Sequence, residues 1–481
     1  MPLHPAANDN NTVRVVICGG GASAVLLLCA LKERAARPLA VTVLEPRDRL
    51  GAGVAYSTRS AAHVLNTRAR NMAASGGDKD FLFWLSSERD RRGFNWGAED
   101  FAPRPYYGDY LQSRLREVQS AKNINLSWLR RAAQHVVASG EGWEVRPTHG
   151  TPLPADIVVF ATGNEPPMPL GTDLPAPAQR LVLNNPWHSE ALDELPRDAA
   201  VLIAGTGLTA VDAVVELLHR RHTGRLYAFS RRALLPRAHG AALELPESLR
   251  ASLPSSLRAL VKRVRELSGE GARAERWRAV MTELRWLAPH IWAAWDLDER
   301  RRFLRHVRPF WDVHRHRLAP EVHAKLARAL ARGQLTIARG RLESLEHVGA
   351  RGTLRATLRR GAVLEGAALI NCTGPATDVR RSNNALLRNI VADGLVRPDA
   401  LALGLATDER FRLLSRDGAL QRTLYALGTL ARGSQWELTA VAEIREQARL
   451  VARDIELYAT VRAQRASEEH AVRPASVQMP I

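Results

Sequence analysis

Two stretches of this chain follow the same plan, and together they restrict the fold more than any other feature. Val13–Cys18 (VRVVIC) is a short apolar run rich in β-branched residues. Gly19-Gly20-Gly21-Ala22-Ser23-Ala24 follows it, an apolar segment continues to about Ala35, and Val41–Glu45 (VTVLE) is a second such run. The plan returns with Ala200–Ala204 (AVLIA), then Gly205-Thr206-Gly207-Leu208-Thr209-Ala210, an apolar segment through Leu218, and Arg225–Phe229 (RLYAF). Short runs that are apolar without alternation read as strands buried on both faces. Strand, glycine turn, helix and parallel strand make a βαβ unit. The expected class is therefore α/β, with two Rossmann-like domains in one chain.

The glycine turns have a specific use. The first glycine permits the tight turn, the second lets the backbone approach a pyrophosphate, and a small third residue lets helix pack on strand; the helix N-terminus then favours the phosphate charge. Gly19, Gly21 and Ala24 fill these positions in the first unit, and Gly205, Gly207 and Ala210 in the second. The first unit's second strand ends in Glu45, where an acid would bind a ribose hydroxyl. The second unit has Ser230-Arg231-Arg232 there instead. A carboxylate repels a 2′-phosphate and an arginine attracts it. The second site thus favours NADPH, with NADH possible, although two solvated arginines in an Arg-rich chain would look the same.

Further apolar runs end in glycine turns at Asp156–Gly163 and Ala367–Gly374. Prolines at 166, 167, 169, 175 and 177 mark about 165–198 as a linker. Residues 241–332 look largely helical, with Trp277, Met281, Leu284 and Leu287 at helical spacing, and are too long for a loop. The expected division is 13–195 for the first part of one dinucleotide-binding domain and 196–366 for a second with a helical insertion at about 241–332. Residues 367–465 complete the first domain, with a last helix over about Glu437–Val461, and 466–481 form a disordered tail.

Further segments stand with the two glycine turns, GGGASA at 19–24 and GTGLTAVD at 205–212: Gly51–Ser57 (GAGVAYS), His63-Val64-Leu65-Asn66, Arg104–Leu111 (RPYYGDYL), the ATG at 161–163, SRRALLPRAH at 230–239, Phe310–Arg315 (FWDVHR), Asn371–Pro375 (NCTGP) and Tyr425–Ala440. By these residues the chain resembles the two-dinucleotide-domain flavoproteins, among them flavin monooxygenases, and more narrowly a bacterial FAD/NAD(P)-binding flavoprotein family whose activities include FAD-dependent urate hydroxylation and L-aspartate N-hydroxylation. The resemblance makes the first domain an FAD-binding domain and the second an NAD(P)H-binding domain. The resemblance implies that Gly19, Gly21, Ser23, Ala24, Glu45 and Gly163 surround FAD. Arg104 would reach its phosphate or flavin, and Gly428 would lie in the late segment that closes over it. Gly205, Gly207, Ala210, Ser230, Arg231 and Arg232 would hold the nicotinamide cofactor. Asn66 would sit beside the isoalloxazine, where its amide would hydrogen-bond a C4a-(hydro)peroxide; a turn-forming asparagine is the other reading. NADPH would reduce FAD, O2 would be the co-substrate, and one oxygen atom would go to a small polar or anionic molecule. The segment after Asn66 departs from the family pattern: Thr67-Arg68-Ala69-Arg70 puts two arginines where a small or apolar residue and proline are usual.

Other features weigh less. Trp277, Trp286, Trp292, Trp295 and Trp311 fall close together among many arginines. They read as the core of a helical subdomain or as a channel lining, and the latter inclines the substrate expectation toward a urate-like heteroaromatic over an amino-acid amine. His314 and Arg315, beside Trp311, are the candidate substrate contacts, with Arg237 and His239 comparable. His314 and His316, two apart, do not share a helix face, so no metal site is expected. The cysteines, Cys18, Cys29 and Cys372, form no pair in sequence, which disfavours a flavoprotein disulfide reductase. The net charge of +18 comes from 68 basic residues against 50 acidic ones. No basic run accompanies it, so nucleic-acid binding is not favoured, but it keeps open a non-enzymatic flavin sensor or an RNA-binding protein. Met1–Thr12 has no apolar core of a signal peptide and no 20-residue apolar run follows, so a cytoplasmic protein without a membrane span is expected. The oligomeric state stays open.

Overall fold

The computed structural model describes residues 12–472, apart from 76, 78, 94, 188, 242–244, 246–247, 270–274, 350–351 and 360. The first unit runs β1 (Val13–Cys18), α1 (Ala22–Arg34), β2 (Leu39–Leu44), α2 (Arg104–Gln119), β3 (Ile124–Leu129) and β4 (Ile157–Phe160). The second runs β5 (Val182–Leu183), β6 (Val201–Ala204), α3 (Leu208–His219), β7 (Leu226–Ser230), α4 (Leu257–Ser268), α5 (Trp277–Ala294), α6 (Arg308–Arg315), α7 (Pro320–Ala331), β8 (Leu335–Arg339) and β9 (Ala368–Asn371). The chain then returns with β10 (Arg412–Leu414), β11 (Leu420–Ala426) and α8 (Val441–Val472).

The strands form one sheet in the order β10-β11-β4-β1-β2-β3 and another in the order β8-β7-β6-β9-β5. Every pairing in these sheets is parallel except that of β10 with β11. The expected α/β class with two Rossmann-like units is the observed one. The reason is visible in β6: Val201 and Ile203 pack with α3 and α7 on one face, and Leu202 and Ala204 pack with antiparallel strands around Leu354–Leu364 on the other, so Val201–Ala204, like Val15–Cys18, are all buried and must be continuously apolar. Helix α1 is apolar on every side, with Ala24–Leu31 all buried, because it lies between the sheet and α8. Two three-stranded antiparallel sheets, Ala133–Ser139 to Leu153–Ala155 and Leu342–Val348 to Val363–Gly366, occupy equivalent places in the two units.

Three expectations are corrected. The division at 195 and 367 does not follow the sheets. β5, inside the expected linker, and β9 both belong to the second sheet, with Ala368–Asn371 alongside Val201–Ala204. This follows from the duplication, since β9 stands to β6 as β4 stands to β1. The insertion also ends earlier than 332. Helices α4 to α6 share a core of their own containing Trp292, Trp295, Phe303 and Trp311, whereas Val322, Leu326 and Ala329 of α7 pack with Val211 and Val214 of α3. Helix α7 is the crossover that parallel β7 and β8 require. Finally, α8 begins at Val441 and continues through Val472, into the expected disordered tail. The remainder of that tail, 473–481, and residues 1–11 lie outside the described residues.

Candidate functional site

The two glycine turns are built alike, bond for bond. Gly19 donates its N–H to the Leu44 carbonyl at 2.9 Å, and Gly205 donates to that of Phe229 at 2.8 Å. Both adopt positive φ, +107° and +124°. A Cβ on Gly19 would lie 2.4 Å from the Ala161 carbonyl oxygen, and one on Gly205 would lie 2.2 Å from that of Cys372. These two positions admit only glycine. The next glycines differ. Gly21 and Gly207 start α1 and α3 with φ of −75° and −81°, and neither helix has a side-chain cap or an acid in its first turn. A Cβ at Gly21 would meet Gly53 Cα at an ordinary 3.6 Å, and one at Gly207 would have nothing within 4 Å. The first N–H groups of both helices are thus left to an anionic ligand. Ala24 and Ala210 are 1% and 2% exposed, the close helix–strand contact that a small side chain allows.

The first cradle fits a dinucleotide. Gly428 (φ +72°) crosses beside it, where a Cβ would lie 2.8 Å from Ser23 Oγ, and its N–H is held by Gln447 Oε1 at 2.7 Å. Gly163 (φ +76°) has open space around its Cβ position. Thr162 Oγ1 and Thr429 Oγ1, each next to one of these glycines, are buried without a hydrogen-bond partner and suit a ligand's polar atoms. Glu45 departs from expectation. Its carboxylate accepts from the Gly20 N–H at 2.9 Å, the Arg47 N–H at 3.0 Å and the Arg47 guanidinium at 2.9 Å. It is committed to shaping the turn, and a ribose hydroxyl would have to share it with Arg47.

In the second cradle, Ser230 is also occupied: its hydroxyl pairs with Thr206 Oγ1 at 2.8 Å and accepts the Ala233 N–H at 3.1 Å. Arg232 stacks over Phe310 of α6 at 5.0 Å, whereas Arg231 is exposed. Of the two arginines, Arg232 is therefore the one positioned by the helical insertion.

A cavity of about 490 Å3 lies where the two units and the insertion meet. Asn66, Arg104 and Arg315 line it. His314 does not: its ring packs against Trp277 at 5.0 Å and its Nδ1 bonds the Phe310 carbonyl at 2.8 Å, within its own helix. Arg104 is not free for a phosphate. It grips Asp212 of α3 with both amino groups, at 2.8 and 3.1 Å, and donates to the Val64 carbonyl at 3.1 Å. Arg315 pairs with Glu437 at 2.7 Å, and the same carboxylate accepts from the Trp311 indole at 2.8 Å. None of the five clustered tryptophans lines the cavity. Trp292, Trp295 and Trp311 are core residues, Trp277 packs against that core, and Trp286 is 65% exposed.

Several cavity residues escaped the sequence reading. Asp212 stands in the GTGLTAVD motif one helical turn after Leu208, a spacing that puts both on one face of α3. Trp187 comes from the expected linker and stacks on Arg104 at 5.8 Å. His239, by contrast, is one of the candidate substrate contacts named from the sequence; it lines the cavity and bonds the Asn66 carbonyl through Nε2 at 3.0 Å. Burial pushes the pKa of His239 down to about 4, and likewise that of His316. Arg317 had no sequence signal that set it apart from Arg315. Burial raises the Cys18 and Cys29 pKa values to about 12, and all three cysteines are buried and unbridged, so no reactive dithiol is present. Among the described residues there is no cluster of metal-ligating side chains, and no helix is long and apolar enough to cross a membrane.

A family model described as FAD-NAD(P)-binding matches residues 16–165, the segment that carries the first cradle. No curated protein matches the sequence. Among solved structures, the chain is similar to an ornithine N-hydroxylase from Kutzneria sp. 744 (TM-score 0.62, 15% identity, covering 93% of this chain and 99% of that one). It is similar to the ornithine hydroxylase of Pseudomonas aeruginosa (TM-score 0.61, 16% identity, the same coverage). It also resembles the L-lysine 6-monooxygenase of Pseudomonas syringae (TM-score 0.61, 17% identity, the same coverage). At these identities the likeness is one of fold, and it spans nearly the whole of each chain.

Proposed function

We propose that this chain is an FAD-dependent, NAD(P)H-consuming monooxygenase that hydroxylates an amine nitrogen of a small amino-acid-like molecule in the cavity between its two units. The observation that carries the reading is that one chain holds two glycine-turn cradles built alike, with a cavity lined by Leu208 and Thr209 of the second and by Val54 and Asn164, next in sequence to Gly53 and Gly163 of the first. The likeness to an ornithine N-hydroxylase, an ornithine hydroxylase and an L-lysine 6-monooxygenase supports nitrogen as the acceptor. The urate-like reading loses its main ground, because the tryptophans that favoured it are core residues outside the cavity.

Bound FAD would supply the redox chemistry, taking hydride from NADPH and activating O2. The protein's own part is binding and exclusion of water. Gly19, Gly21, Ser23, Ala24, Gly163 and Gly428 would form the FAD cradle, with Glu45 holding its turn. Gly205, Gly207 and Ala210 would receive the nicotinamide cofactor, Arg231 and Arg232 its 2′-phosphate, and Ser230 would set the strand-end turn. Asn66, whose carbonyl is fixed by His239, would present its amide in the cavity. Arg315 is held by Glu437 and lines the same wall. Arg104 acts on the site through Asp212, joining the units at the cavity edge.

The test is NADPH oxidation by the FAD-loaded protein, screened with amino acids, diamines, urate and related purines, with hydroxylamine products assayed. Stimulation by urate alone would restore the heteroaromatic reading, and stimulation by none of these would remove the proposal. Two variants probe single roles. The double change Arg231→Ala, Arg232→Ala should raise the KM for NADPH about tenfold or more while leaving that for NADH nearly unchanged, since only the former carries the charge they would bind; equal changes would deny them that role. Asn66→Ala should shift NADPH consumption from hydroxylated product to hydrogen peroxide; unaltered coupling would make it a turn residue.

A further inference from the structure

Six arginines line the cavity: Arg68, Arg70, Arg104, Arg285, Arg315 and Arg317. Five are matched to carboxylates. Arg68 and Arg70 share Glu99, Arg104 holds Asp212, Arg285 holds Glu443, and Arg315 holds Glu437 and Glu443. Arg317 has no carboxylate partner among the described residues. Its guanidinium donates only to backbone carbonyls, from Nε to His314 at 3.0 Å and from Nη2 to Arg278 at 3.3 Å. These contacts anchor the fork and use only part of its donor set. A partly buried cation without a counter-charge is costly unless a ligand completes it. A planar guanidinium is matched in shape by a carboxylate, which it binds through two parallel hydrogen bonds.

We propose that Arg317 receives a single carboxylate of the substrate, so that the enzyme takes amino acids and discriminates against the corresponding diamines. The inference deepens the monooxygenase reading and rests on it for the identity of the cavity as a substrate site. Each of the other cavity arginines already holds a carboxylate of the protein, Arg68 and Arg70 sharing Glu99 between them, whereas Arg317 holds none. Burial first, and then the neighbouring charges of Arg315, Arg278, Arg68 and Arg285, push the Arg317 pKa down to about 10, which still leaves it cationic at neutral pH.

The experiment measures equilibrium binding to the FAD-loaded protein by titration calorimetry, beside NADPH oxidation. The probes are L-ornithine, L-lysine and L-aspartate, with 1,4-diaminobutane, 1,5-diaminopentane and urate for comparison. At least one amino acid should bind, and Arg317→Gln should weaken it about 30-fold or more, the usual consequence of removing one partner of a desolvated charge pair. Arg317→Lys should recover part of that loss, which a fold defect would not allow. In turnover the KM should rise far more than kcat falls. Binding of a diamine as tight as that of its amino acid, no binding by any amino acid, binding of urate alone, or Arg317→Gln leaving amino-acid binding within about threefold would each overturn the proposal. Binding that depends on Arg317 without any hydroxylation would instead remove the monooxygenase reading and leave the carboxylate site standing. Hydroxylation of an amino acid that ignores Arg317 would do the opposite.

Discussion

Gly21→Asp should yield folded, colourless protein. Gly21 is the N-cap of α1, with φ −75° and ψ −168°, a conformation open to any residue and the one an aspartate cap prefers. Its Cβ would make an ordinary 3.6 Å contact with Gly53 Cα. The new carboxylate would satisfy the first N–H groups of α1 and should keep or slightly raise stability. It would also place negative charge where the FAD pyrophosphate is to sit and take up the donors that would hold it. Flavin affinity should fall by at least about 100-fold, equivalent to about 2.7 kcal/mol. The ratio of flavin to protein absorbance, with thermal unfolding as the control, reads the result. Gly19→Ala separates the two effects from the other side. With φ at +107° and the Ala161 carbonyl oxygen 2.4 Å from the new Cβ, it should damage the fold itself. Yellow, fully loaded Gly21→Asp protein would mean that the first cradle does not hold flavin, and the oxygen chemistry proposed above would fall with it.

Arg104→Ala and Asp212→Ala should each cost about 3 kcal/mol of stability. The two side chains are only 12% and 14% exposed, and the pair joins the N-terminus of α2 in the first unit to α3 in the second. Removing either one strands a largely buried charge, which costs more than the pair contributes as a pair. The double variant should therefore be less destabilised than the sum of the singles, with a coupling of about 2 kcal/mol in a double-mutant cycle. Urea unfolding of the four proteins gives the number directly. Additive losses, or single losses below about 0.5 kcal/mol, would show that the units are held by their apolar contacts and that the pair is incidental.

Much of the architecture was legible in advance because it is local. Gly19 and Gly205 announce themselves: a turn in which any Cβ would lie within 2.4 Å of a neighbouring carbonyl oxygen can carry nothing larger than glycine. The continuous apolar character of β1 and β6 follows from burial on both faces. What the chain order concealed was membership. β9 reads as the start of a returning segment, yet it lies against β6, because strand pairing answers to the sheet and not to sequence proximity. The same holds for β5, a two-residue strand between prolines that no periodicity could reveal.

The site divides along the same line. Glycine turns, small packing residues and the acid or arginine closing each second strand depend on backbone geometry within some thirty residues, and such geometry is written into residue type. Which arginine is neutralised is a different kind of fact. Arg104, Arg315 and Arg317 are alike as letters. Asp212 reaches Arg104 from another unit and Glu437 reaches Arg315 from the last part of the chain, while Arg317 meets two carbonyls and the Trp277 ring but no carboxylate among the described residues. Charge pairing acts across a few ångströms of space, so it was the folding of distant segments onto one cavity that chose the unpaired cation and, with it, the chemistry the cavity can receive.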